Sequence, residues 1–77
     1  MILEFGARYS GTVHVDGFFE SHASNSAWAE KIGQLVSGLA AIVVTGSGHD
    51  RVVEATWNKP TAGVDLPTNI RNVRRIS

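Results

Sequence analysis

Trp28, Ile32, Leu35, Val36 and Leu39 recur at i, i+4, i+7, i+8 and i+11, which draws one apolar stripe down one side of an α-helix. Gly38 stops that helix, and the unbroken apolar run Leu39-Ala40-Ala41-Ile42-Val43-Val44-Thr45 follows at once. A helix feeding straight into a strand buries its stripe by lying on the sheet that the strand joins. The run shows no polar alternation, the pattern of a central strand covered on both faces. Ser24, Asn25 and Ser26 can each cap the helix N-terminus, although none has Glu or Gln three residues on to complete a capping box. Gly33, inside the helix, costs up to ~1 kcal/mol relative to Ala and lets the helix lie close to the sheet.

The flanks read as strands. Ile2 to Tyr9 alternates, with Leu3, Phe5, Ala7 and Tyr9 on one face and Glu4 and Arg8 on the other. Ser10-Gly11 is a turn signal, and Thr12 to Phe19 alternates again, so the two segments predict a β-hairpin. Gly17 inside the second segment suggests a bulge. Beyond Thr45, Gly46-Ser47-Gly48-His49-Asp50 is long enough for a hairpin loop. Arg51 to Trp57 then places Val53, Ala55 and Trp57 on one face. Thr61 to Pro67 reads as loop, and residues 68–76 fit either a short helix or a fifth strand. The predicted class is α+β: two antiparallel hairpins flanking one amphipathic helix, in the order β-β-α-β-β. The chain is read as a single domain, 1–77, with a core over 2–57 and a C-terminal extension over 58–77.

A chain of 77 residues buries only roughly 60% of the surface its unfolded form exposes. It has no cysteine, so no disulfide or Cys/His zinc cluster offsets that thin margin. Good packing or self-association is left as the source of stability. Formal net charge is zero, which fits neither a strongly basic nucleic-acid binder nor an acidic mimic of DNA. The balance is uneven: residues 66–77 carry three arginines and no acid, while the rest carries four basic against seven acidic side chains. The longest apolar run falls far short of the roughly 20 residues of a membrane helix, and the start lacks the basic flank of a secretory leader. The expected compartment is the cytoplasm.

Few residues suggest chemistry. Gly46-Ser47-Gly48 follows a strand as phosphate loops do, but a strand and not a helix comes next, so a hairpin turn is the better reading. Ser47, His49 and Asp50 lie too close together to build a hydrolytic triad. His14, Asp16, Glu20, His22, His49 and Asp50 match no metal spacing. No cofactor or metal is expected. Trp28 and Trp57 read as core anchors, whereas Tyr9 and Phe18 are the candidates for exposed apolar contact. Arg71, Arg74 and Arg75 cluster on one side at helical spacing and with Lys59 can touch phosphates, yet no aromatic lies among them to stack a base; a solvated tail or a set of internal salt bridges is the other reading.

The stretch Val13-x-Val15-x-Gly17-x-Phe19-x-Ser21, followed by a helix, Ser37-Gly38-Leu39 and an apolar strand, resembles the BON domain. The resemblance spans about thirty residues, implies that family's ligand binding in bacterial envelopes, and lacks its leading helix. It supplies a fold analogy and no site residue.

No constellation supports catalysis, so the expectation is a small non-enzymatic protein-binding module. Its size and construction match phage-encoded inhibitors of host defence, such as anti-CRISPR proteins, acting by steric block. An RNA- or DNA-binding protein using the C-terminal arginines is the alternative, and a self-associating homodimer is another. The candidate contact residues are His14, Asp16, Phe18, His49, Arg71, Arg74 and Arg75.

Overall fold

The computed structural model describes residues 1–14 and 20–77. It is a small α+β protein with elements β1 (Ile2–Leu3), β2 (Arg8–His14), α1 (Asn25–Leu35), β3 (Leu39–Thr45), β4 (Asp50–Trp57), β5 (Ala62–Gly63) and β6 (Ile70–Arg75). Four strands form an antiparallel sheet in the order β3-β4-β2-β6, and β1 pairs with β5 in a two-stranded ribbon.

The helix follows its sequence. Ser24 caps it, its Oγ accepting from the Ala27 amide at 3.1 Å. Trp28 and Ile32 are buried to 1% and 0% exposure against Val13, Val44 and Val53. Gly33 allows the close approach its position suggested: a Cβ there would sit 3.3 Å from Cδ1 of Ile42 on β3. Gly38 takes a φ of 102° just after the helix, a conformation open to glycine at little cost.

The inner face of the sheet is covered from two sides. Over β3 and β4 lies α1; toward β2 and β6, Leu3, Ala7, Tyr9, Val36 and Trp57 form a second cluster, joined by Val64, Leu66 and Val73. Both tryptophans are core, with the Trp28 indole N–H donating to the Glu20 carbonyl at 2.9 Å and that of Trp57 to Pro60 at 3.4 Å.

The expected hairpin of β3 and β4 forms, and the structure corrects or resolves the other expectations in four places. First, Ser10-Gly11 is no turn; β2 runs straight through it. A Cβ on Gly11 would lie 3.3 Å from both the Arg71 carbonyl oxygen and Cγ2 of Val73, so the glycine serves the close passage of β6. The first two strands therefore do not pair with each other: β1 meets β5, while β2 sits between β4 and β6. Second, Phe5 leaves the inward row. The Ala7 amide donates to the Glu4 carbonyl at 3.1 Å across a tight turn in which Gly6 has a φ of 80°, and Phe5 is turned out to 65% exposure. Tyr9 goes the other way: it is 8% exposed, and its hydroxyl accepts from the Glu4 amide at 2.9 Å.

Third, β3 is an edge strand, not a central one. A bulge at Ala41, whose φ is 49°, hides its alternation: Leu39, Ile42 and Val44 face the core, while Ala40, Val43 and Thr45 lie opposite Thr56, Glu54 and Val52 on the other face. Fourth, the open alternative for residues 68–76 resolves as strand β6. Its start is tied to the end of β2 by Asn69, which is 3% exposed and whose carbonyl accepts from the His14 amide at 2.9 Å. The Gly17 bulge expectation falls outside the described residues.

Candidate functional site

Among the described residues all cover lies on one side, and the other face of the sheet is open. It carries Ser10, Thr12 and His14 from β2, Val52, Glu54 and Thr56 from β4, Val43 and Thr45 from β3, and Arg71 and Arg74 from β6. None of these is buried. Short hydroxyl side chains in the middle and longer ones at the flanks leave a trough of about 280 Å³, lined by Ser10, Gly11, Thr12, Val52, Asn72 and Arg74.

Charges on this face are mostly matched. Arg8 crosses three strands: its Nη1 donates to Thr56 Oγ1 at 3.0 Å and to the Ala41 carbonyl at 3.1 Å, and its Nε lies 3.7 Å from Glu54. The guanidinium thus neutralises Glu54 and holds the β3 bulge. At the far end His14 Nδ1 and Asp50 Oδ1 are 2.7 Å apart, an exposed pair across β2 and β4. Arg71 and Arg74 differ: both are exposed, and neither has an ion pair among the described residues.

The structure therefore gathers some of the sequence candidates and separates others. His14, Arg71 and Arg74 share the outer face, with Arg71 opposite Thr12 and Arg74 opposite Ser10. Arg75 does not join them. It lies opposite the inward-facing Tyr9, and its Nη1 meets Glu4 Oε2 at 2.6 Å. The helical clustering of all three arginines is thus replaced by a pair on a strand. His49 is exposed in the connection between β3 and β4, away from that pair. Asp16 and Phe18 lie outside the described residues. Ser10, Thr12 and Asn72 are not among the sequence candidates; their one signal is the run of short side chains Ser10-Gly11-Thr12, of which Ser10-Gly11 reads as a turn and Thr12 as the start of a strand.

Glu20 and His22 pair with each other at 3.1 Å, and among the described residues no three His, Asp or Glu side chains converge on one point. An apolar recess of about 40 Å³ behind the sheet, between Leu3, Ile32, Leu66 and Val73, holds only a few atoms. No helix among the described residues is long and apolar enough to cross a membrane.

Comparison with protein-family models, curated proteins and solved structures gives no match. The BON-domain pattern thus brings no family assignment.

Proposed function

We propose that the chain is a non-enzymatic binding module that docks the open face of its sheet on an acidic partner protein and blocks that surface sterically. The observation that carries this reading is the pair Arg71 and Arg74, exposed on a face where Arg8 and His14 already have acidic partners. Solvated arginines at a sheet edge also deter unwanted strand pairing, so charge alone is not the argument. The support comes from their setting: a trough that Arg74 lines, the hydroxyl residues Ser10 and Thr12 opposite them, and the apolar surface of Val43 and Val52 at 49% and 44% exposure on the same face. Arginine beside modest apolar surface is the composition of interface anchors. A nucleic-acid strand would meet the same arginines but no aromatic among the described residues of that face.

The test is paired capture from the source lysate with the wild type, an Arg71→Glu/Arg74→Glu variant and a Lys59→Glu control. Lys59 lies off the face, its Nζ on Ser37 Oγ at 2.8 Å. The reading expects a protein held by the wild type and the control, lost with the double variant, and unaffected by nuclease. Equal retention by all three would remove the outer face from consideration.

A further inference from the structure

Arg71 and Arg74 are three residues apart, and in a regular strand that odd spacing sends two side chains to opposite faces. Here both face outward. Arg71 lies opposite Thr12 and Arg74 opposite Ser10, so three steps on β6 span two on β2. The extra residue is Asn72, with a φ of 56°, a left-handed conformation that asparagine tolerates better than most residues. Gly11 faces the bulge and gives it room, as the 3.3 Å approaches of the Arg71 carbonyl and Val73 show. Bulges re-aim side chains, and this one turns an arginine that would point into the core onto the open face beside its neighbour.

The product is a concentration of donors. Arg74, Asn72 and the hydroxyl residues Ser10 and Thr12 line the trough, Arg71 stands opposite Thr12, and among the described residues no carboxylate lines it. Glu54, opposite Ser10 on the far side, is engaged by Arg8. A carboxylate offers two oxygens and one charge. A phosphate monoester offers three terminal oxygens and a charge near −2, the better match to two arginine forks and two hydroxyls. Val52 supplies an apolar wall for the carbon side of the ester.

We propose that the trough between β2 and β6 binds the phosphoryl group of a phosphate monoester borne by a side chain of the partner protein. The assignment of the group to a protein rests on the docking reading above; the phosphoryl site itself stands without it.

The experiment is amide chemical-shift titration of the full chain at constant ionic strength, using O-phosphoserine, inorganic phosphate, serine, sodium chloride and a short single-stranded oligonucleotide. The expected result is saturable shifts at Ser10–Thr12 and Arg71–Arg74 with phosphoserine and phosphate, and none with serine or chloride. Arg71→Gln and Arg74→Gln each weaken phosphoserine binding about tenfold. Arg75→Gln leaves it unchanged, because Arg75 is held by Glu4. Asn72→Gly, which keeps the positive φ, retains binding and shows that the bulge rather than the amide matters. Shifts that never saturate, shifts matched by chloride, equal loss in Arg75→Gln, or tighter binding of the oligonucleotide than of phosphoserine would each overturn the proposal. If the titration fails while capture still depends on Arg71 and Arg74, docking stands and its phosphoryl anchor falls. If phosphoserine binds while capture is indifferent to the arginines, the site stands and the protein partner falls.

Discussion

Arg51 is 4% exposed, yet among the described residues its partners are neutral oxygens and a ring rather than a carboxylate. Its guanidinium lies 4.0 Å from the centroid of the Trp28 ring and donates to Asn25 Oδ1 and the Ser21 carbonyl, each at 2.9 Å. One side chain thereby ties the start of α1 and the segment before it to β4. Arg51→Met keeps the apolar stem but strands two oxygens and removes the cation from the ring. We expect a loss of about 2–3 kcal/mol in urea unfolding. The exposed Glu4–Arg75 pair is a contrast: Arg75→Gln should cost about 0–1 kcal/mol, because both side chains are more than half exposed. At Gly11 the backbone is the constraint. Gly11→Ala forces β6 outward and should cost about 1–3 kcal/mol. The roles of Arg51 and Gly11 were not legible in the sequence, whereas the arginine tail opposite an acidic body allowed a pair such as Glu4–Arg75. Arg51 reads as a polar strand start, because its partners are mostly backbone and loop oxygens far along the chain. Gly11 reads as a turn, because the strand that crowds it begins fifty-nine residues later at Ile70.

Among the elements, the two edges of the main sheet are unlike. On β6 there are three arginines and a bulge, both devices that deter strand-to-strand pairing. β3 has a bulge at Ala41 but no charge anywhere along Leu39–Thr45. Val43, 49% exposed and facing outward, is the apolar residue most open to a second chain on that edge. Val43→Lys should change stability by less than about 0.5 kcal/mol and lower light scattering during refolding; unchanged scattering would show that β3 is not the adhesive edge. The helix and β4 were legible because each keeps one period from end to end. In β3 the sequence pattern failed because the bulge breaks the period and the strand is apolar on its open face too. For β6, residues 68–76 allowed helix or strand because a bulged strand with arginines three apart mimics helical spacing.

For the molecule as a whole, residues 58–77 are part of what closes the inner face. Val64, Leu66, Ile70 and Val73 pack on buried core residues, and Ile70 touches the Trp28 cluster as well as the Tyr9 cluster. Deleting residues 69–77 removes β6 and the Asn69 contact to β2, and the shortened chain should lose its cooperative thermal transition by circular dichroism. The class of fold could be read from the sequence, but the positions of the arginines depend on pairing between β2 and β6, which no local pattern encodes. The account turns on that pairing: a bulge at Asn72 sets Arg71 and Arg74 side by side on the open face. Interstrand nuclear Overhauser effects on the labelled full chain test it directly. The account predicts contacts of Thr12 with Arg71 and Ser10 with Arg74, together with a positive φ at Asn72. Sequential helical amide contacts through residues 68–76, or an even ladder that turns Arg74 toward the core, would contradict it.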